Sequence, residues 1–211
     1  MIYRPTEPEV DEVLQNHKRH MERNALFLEH GIDRERGVGF IIDSAGPLRP
    51  PILDIGTGKG LTAIEMARRG APVTSIDISE PELRMAFLNA RAAEVDSNIL
   101  FHLADATMLP FDNDHFNLVT MVNVIHHAEE IDDIFTEVSR VLKPGGRFVV
   151  ADFTDEGFEI LAGIHESEGR FHDRLNDMGM DDVAGMLQGY GLECRSRDSR
   201  FFEYVIMAEK L

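Results

Sequence analysis

The stretch Asp54-Ile55-Gly56-Thr57-Gly58-Lys59-Gly60 places glycine at three alternate positions, starting inside a short apolar run, Ile52-Leu53-Asp54-Ile55. Glycine lets a backbone turn sharply and lets a ligand approach without meeting a Cβ. In an open α/β sheet, ligands sit beyond the carboxyl ends of the strands, and the loop after the first parallel strand is the usual cradle. Alone, such a loop also reads as a tight strand-to-helix turn. Its neighbours extend the reading. Asp77 ends the next β-rich run, Val73-Thr74-Ser75-Ile76-Asp77, where a carboxylate can accept both hydroxyls of a ribose. Ala104-Asp105-Ala106 follows the third run; a carboxylate there can accept from the exocyclic amine of adenine, and Ile78 can cover the ring face.

Two other glycine loops fail on inspection. A dinucleotide fingerprint wants Gly or Ala where Leu61 stands, and a Walker A loop wants Gly at 53 and Ser or Thr at 60, where Leu53 and Gly60 stand. The pattern that remains is D-x-G-x-G-x-G.

The elements that must position these residues follow from periodicity. Apolar residues from Val10 to Phe27 at loosely helical spacing predict a surface helix, and a second helix is expected from Asp33 to about Gly46-Pro47. After Pro50-Pro51, β-rich runs alternate with helical stretches: Ile52–Ile55, Val73–Asp77, Ile99–Leu103, Phe116–Val122 and Arg147–Ala151. That alternation predicts βαβ units and a parallel sheet. Between the last two runs, Ile131, Ile134, Phe135, Val138, Val141 and Leu142 form one helical stripe before Lys143-Pro144-Gly145-Gly146 turns the chain. The stretch from Asp155 to Asn176 is polar and less regular. A helix from Asp181 to Tyr190 and two strands, roughly Glu193 to Arg197 and Phe202 to Ala208, complete the chain as an antiparallel hairpin on the sheet edge.

The 211 residues suit one domain: a helical cap over 1–48, a cofactor-binding core over 50–153, and helices with a β-hairpin over 154–211. The formal charge of -17 argues against nucleic acid and anionic membranes as partners. Cys194, the single cysteine, cannot close an internal disulfide, and no apolar run approaches the roughly 20 residues of a membrane helix. A start without a secretory pattern, Met1-Ile2-Tyr3-Arg4-Pro5, completes the expectation of a cytoplasmic protein.

Taken in order, the glycine loop, Ser75-Ile76-Asp77-Ile78-Ser79, Ala104-Asp105-Ala106 through Leu109-Pro110-Phe111, His115-Phe116-Asn117-Leu118-Val119 and Leu142-Lys143-Pro144-Gly145-Gly146 resemble the successive motifs of class I S-adenosylmethionine-dependent methyltransferases. They look closest to the small-molecule group related to ubiquinone and menaquinone methyltransferases. The resemblance covers about residues 50–153. It implies a Rossmann-like α/β fold with a seven-stranded mixed sheet of order 3-2-1-4-5-7-6. It further implies that Asp54, Gly56, Gly58 and Gly60, with Thr57 in the same loop, hold the methionine part of S-adenosylmethionine, with S-adenosylhomocysteine as product. Asp77 would take the ribose, Asp105 with Ala106 the adenine, whose ring face Ile78 can cover, and Asn123 would face the sulfonium end. The chain lacks the Asn/Asp-Pro-Pro-Tyr segment of amino-group methyltransferases, having Asn123-Val124-Ile125-His126 there, and its one cysteine does not suit arsenic methylation.

Methyl transfer from a sulfonium needs alignment of a small-molecule acceptor and exclusion of water, and for a weak nucleophile a base. His126, and after it His127, follow the strand whose end would face the methyl group. A histidine capping the strand end is the alternative. His17 with His20, and His165 with Glu168 and His172, lie at helical spacing where this family builds its acceptor pocket; no metal is assigned to them, and Arg170 would clamp an acceptor anion or sit solvated. The rival to an enzyme is a module that binds S-adenosylmethionine as a sensor or partner subunit without transferring its methyl.

Overall fold

The computed structural model describes residues 1–169, 175 and 177–211. The strands are β1 (Ile52–Ile55), β2 (Val73–Asp77), β3 (Ile99–Leu103), β4 (Phe116–Val122), β5 (Leu142–Phe153), β6 (Leu192–Arg200) and β7 (Glu203–Lys210). They form one seven-stranded sheet in the order β3-β2-β1-β4-β5-β7-β6, as the resemblance implies. β1 to β5 run parallel, and β7 lies antiparallel between β5 and β6. The order reverses between β1 and β4, so the crevice beyond β1, β2 and β4 is the topological switch point.

Helices cover both faces, which is why the parallel strands read as continuous apolar runs. The helices are α1 (Val10–Glu29), α2 (Arg34–Ser44), α3 (Leu61–Arg68), α4 (Glu80–Ala92), α5 (Ile131–Val141), α6 (Asp155–Ser167) and α7 (Met180–Leu187). Side chains alternate across each strand. Ile52, Leu118, Val149 and Val205 pack with Ile41 and Ile42 of α2, Ala63 and Met66 of α3, and Leu83 and Ala86 of α4. Leu53, Val119, Phe148, Val150 and Ile206 pack on the other face with Ile134, Phe135 and Val138 of α5 and Val183 and Leu187 of α7. The whole stripe expected of α5 is buried.

The ends of these elements follow their sequences. Asp33 caps α2 by accepting from the Arg36 N–H, and Ser79 caps α4 by accepting from Glu82, with Pro81 in the first turn. Two stretches depart from expectation. Lys143-Pro144-Gly145-Gly146 turns inside β5 and does not precede it: Leu142 already pairs with Phe116, and the register then shifts to Arg147 with Leu118. The Asp155–Asn176 stretch begins with a regular helix, α6, because Phe158, Leu161 and Ile164 form a buried stripe and Thr154 caps Gly157. That stripe joins Phe27, Ile32 and Phe153 in a third cluster, which ties the end of α1 to α6 and to the last residue of β5.

Candidate active site

A cavity of about 620 Å³ opens at the switch point. Small-molecule sites occupy roughly 300–1,000 Å³, so it is large enough for more than one small ligand group. One end is lined by Gly56, Gly58, Asp77, Ile78, Asp105 and Ala106; the other by Arg23, Phe27, Arg34, His126, His165 and Glu203, with Asn123 among the residues lining it.

The glycine loop is fastened to β2 at its root. The N–H groups of Gly56 and Thr57 both donate to the Ile76 carbonyl at 2.9 Å. Gly56 has φ +74°, and a Cβ there would stand 2.2 Å from Val124 Cγ2, so the loop after β4 crosses the spot that any other side chain would fill. Gly58 donates to Asp77 Oδ2 at 2.8 Å, while Asp77 Oδ1 accepts from the Ser79 N–H at 2.9 Å. Asp77 therefore fixes the loop and the entry to α4 with one carboxylate and still faces the cavity. Ile78 is 72% exposed there, an apolar surface open to a planar ring. Asp105 Oδ1 accepts from the N–H and hydroxyl of Thr107 at 2.9 and 2.8 Å, which orients its carboxylate at the same rim.

Asp54, Thr57 and Gly60 stand behind this surface. Asp54 pairs in register with Ser75 of β2 and Thr120 of β4, so the three side chains lie side by side on one face of the sheet. Ser75 and Thr120 donate to the Asp54 carboxylate at 2.8 Å each, and Thr57 Oγ1 lies 2.6 Å from Ser75 Oγ. Burial pushes Asp54 up to about 6 against the hydroxyl donors that favour its charge. The ladder locks the base of the loop. Gly60, at φ +84°, admits Ala86 of α4, whose Cβ would stand 3.1 Å from a Cβ on it.

The loop after β4 turns through Asn123, held at φ +56°, a strained setting for a residue with a side chain. It delivers His126 into a buried position where Nδ1 lies 2.7 and 2.9 Å from the two oxygens of Asp152, near the end of β5. The Asp152 carboxylate also accepts from the backbone N–H of His126 at 3.1 Å and of Phe153 at 2.8 Å. A carboxylate only accepts, so Nδ1 carries a proton. His127 is exposed at the cavity wall, its ring 4.0 Å from that of His126.

Three further residues at this end were not expected from the sequence: Asp152, Glu203 and Arg34. Glu203 opens β7 directly after a two-residue turn, Phe201-Phe202, in which both residues have positive φ, the geometry that matches strand twist in tight hairpins. The turn is clamped by α2, with the Arg36 guanidinium 4.5 Å above the Phe201 ring and Phe40 edge-on at 6.1 Å. Glu203 is 6% exposed and accepts from Asn123 Nδ2 at 3.1 Å, while its Oε2 and Asn123 Oδ1 have no hydrogen-bond partner among the described residues. Burial drives its carboxyl up to about 8, against the pull of the Asn123 bond. Arg34 donates to Asn24 at 2.8 Å and lies 4.8 Å from the centre of the Phe27 ring. Its burial, with Arg23 beside it, lowers it to about 10.

The remaining histidines divide. His165 lines the cavity and lies 3.2 Å from Arg23, which is paired with Glu168. His17 and His20 line a separate pocket of about 130 Å³, and His20 is bonded to Asn24. Arg170 and His172 lie outside the described residues, among which no group of three or more His, Cys, Asp or Glu side chains is placed to hold a metal ion. No helix there is long and apolar enough to cross a membrane.

Comparison with known proteins agrees with this geometry. Residues 53–150 match the family described as methyltransferase domain. The chain is 39% identical over 103 residues to the 27-O-demethylrifamycin SV methyltransferase of Amycolatopsis mediterranei, covering 48% of this chain and 38% of that protein. It is 32% identical over 133 residues to a ubiquinone/menaquinone biosynthesis C-methyltransferase of Ectopseudomonas mendocina, covering 61% and 52%. The matches thus span about half or less of these curated relatives. A crystal structure of a protein from Pyrococcus horikoshii superposes with a TM-score of 0.71 at 20% identity, over 91% of this chain and 92% of that one. The sheet order, the loop at its switch point and the sequence match agree: residues 53–150 form a methyltransferase domain of the class I, S-adenosylmethionine-dependent type.

Proposed function

We propose that the chain transfers the methyl group of S-adenosylmethionine to a small-molecule acceptor, as one domain whose segments 1–48 and 154–211 complete the acceptor end of the cavity. The observation that carries the reading is one cavity with two chemically different ends, an adenosine-suited end at Gly56, Gly58, Asp77, Ile78, Asp105 and Ala106 and a polar, titratable end at His126, Glu203 and Arg34. The first end fits the cofactor: a backbone cradle at Gly58, where only the Gly56 carbonyl comes within 3.9 Å of the Cβ position, a carboxylate at Asp77 lining the cavity, an exposed Ile78 face, and an amide at Asn123 with an unsatisfied oxygen. S-adenosylmethionine, when bound, supplies the activated methyl and its own leaving group.

The protein's residues then hold, orient and deprotonate. Asp77 would accept the ribose hydroxyls, the Gly56–Gly58 backbone would accommodate the methionine part, and Asn123 would face the sulfonium end. His126 is oriented by Asp152 through Nδ1, and its Nε2 would accept the proton of the acceptor nucleophile. His127 borders the same space. The apolar wall of Phe27, Val38, Phe153 and Leu161 excludes water.

The test is release of S-adenosylhomocysteine from labelled S-adenosylmethionine across a panel of small phenols, carboxylic acids, amines and thiols. Turnover on at least one class supports the proposal. Tight cofactor binding with no turnover on any acceptor would return the chain to a sensor or partner subunit.

A further inference from the structure

The polar end of the cavity contains a charge that the fold leaves uncompensated. Two guanidiniums approach the Phe27 ring, Arg23 at 5.2 Å and Arg34 at 4.8 Å from its centre. Arg23 is paired with Glu168, which follows the last residue of α6. Arg34 has no ion pair among the described residues; its one side-chain hydrogen bond goes to the neutral amide of Asn24. Half-buried guanidiniums are ordinarily matched by a carboxylate. The acid whose field reaches Arg34 is Glu203, which lines the same cavity, is 6% exposed and has an oxygen without a partner among the described residues.

We infer that Arg34, Glu203 and Asn123 form a recognition subsite for the carboxylate of a methyl acceptor whose remainder is apolar. The inference rests on the methyltransferase reading of the cavity and names the class of acceptor it takes. A carboxylate presents two oxygens to the guanidinium fork of Arg34, and one of them accepts from the Glu203 carboxyl, whose other oxygen is held by Asn123. The charge count favours a monoanion over a phosphate dianion: Arg34 supplies one uncompensated positive charge, the charge of Arg23 is taken by Glu168, and Asp152 stands close enough to Glu203 to repel further negative charge. Phe27, Val38 and Leu161 line the same region and suit an apolar body.

Glu203 must keep its proton to donate. The groups that bear on it are Asn123 after β4, Asp152 of β5, Arg34 of α2, and beyond these Arg23 of α1 and His165 of α6. Burial and Asp152 hold the proton on against Arg34 and Asn123, with a midpoint at about 8. A bound carboxylate strengthens that hold.

The experiment is calorimetric titration of benzoate, cinnamate, phenyl phosphate, and the neutral amides of the two acids into the full chain, with and without saturating S-adenosylhomocysteine. The expected result is that a carboxylate binds at least tenfold tighter than its amide and than phenyl phosphate. Arg34→Gln should cost the carboxylate about 10- to 100-fold while leaving the melting temperature unchanged and the S-adenosylhomocysteine affinity within about twofold of wild type. Carboxylate affinity of the wild type should fall about tenfold from pH 7 to pH 9 as Glu203 ionises, and Glu203→Gln, which keeps a donor, should abolish that fall. Equal binding of acid and amide, preference for the phosphate, or a carboxylate affinity indifferent to Arg34→Gln overturns the inference. If Arg34→Gln does not fold, the acid-to-amide ratio and the Glu203→Gln pH profile decide it. Binding of S-adenosylhomocysteine without carboxylate preference sinks the subsite alone; carboxylate preference without any S-adenosylhomocysteine binding sinks the methyltransferase reading and leaves the subsite standing.

Discussion

Replacing Gly56 by alanine tests how closely the glycine loop packs against the loop after β4, because two separable costs meet at one methyl group. The residue sits at φ +74°, where a Cβ costs about 1–2 kcal/mol. The added Cβ would also stand 2.2 Å from Val124 Cγ2, far inside contact distance, and Val124 is β-branched with little rotameric freedom to withdraw. Forcing such an overlap costs typically about 1–3 kcal/mol. The sum is about 2–5 kcal/mol, which for a chain of this length lowers the melting temperature by roughly 4–20 °C. The loop after β4 also carries Asn123 and His126, so displacing Val124 should weaken S-adenosylhomocysteine binding as well. The assay is thermal denaturation with calorimetric titration of Gly56→Ala, Val124→Ala and the double variant. Val124→Ala in the Gly56→Ala background should recover the steric part and leave only the backbone cost, a non-additivity of at least about 1 kcal/mol. A Gly56→Ala protein that melts within 1 °C of wild type and binds S-adenosylhomocysteine equally would be incompatible with that packing.

Other outcomes follow from the same structure. Asp152→Asn keeps the shape but can no longer enforce the His126 tautomer, so kcat on an acceptor hydroxyl should fall about 10²–10⁴-fold with cofactor affinity retained; a melting temperature that drops while kcat holds would make the pair a strut only. Glu203, ordinarily near 4.5 and raised to about 8 by burial, is protonated in the folded chain where the unfolded chain is ionised. Its contribution to stability is therefore full below pH 4.5 and lost as the pH rises towards 8, after which it is flat. Asp54, raised from 3.8 to about 6, acts in the same sense over that lower window. Urea denaturation of Glu203→Gln against wild type should show a stability difference that shifts in favour of the variant, on the order of a few kcal/mol, between pH 5 and pH 8; a pH-independent difference would rule out the buried acid.

The parallel half of the fold is legible in the sequence because each strand there contains a short apolar run, with Asp77 ending one and Asn123 directly following another. The spacing fixes where such residues fall along the chain; it does not fix which way they face. Asp54 shows the difference. It shares the loop motif with Gly56 and Gly58, yet strand alternation turns it between Ser75 and Thr120, into the sheet and away from the cavity. Asp152 and Glu203 escaped notice because their partners are distant in sequence, His126 26 residues away and Asn123 80 residues away. A signal was present in each case. Val149-Val150-Ala151-Asp152-Phe153 and Phe202-Glu203-Tyr204-Val205 each set one acid among apolar strand residues, and a buried acid needs a partner. The helix α6 was hidden by its polar face, although Phe158, Leu161 and Ile164 keep its period.

Calorimetric titration of S-adenosylhomocysteine into wild type and Asp77→Ala tests the central claim most directly. Asp77 already accepts the N–H groups of Gly58 and Ser79, and its remaining lone pairs face the cavity where a ribose would bind. One molecule should bind per chain without competition from NAD, and Asp77→Ala should weaken it about a hundredfold, the loss of two hydrogen bonds to a charged group together with the loop they orient. No binding by the wild type, or an Asp77→Ala affinity within twofold of it, would contradict the account.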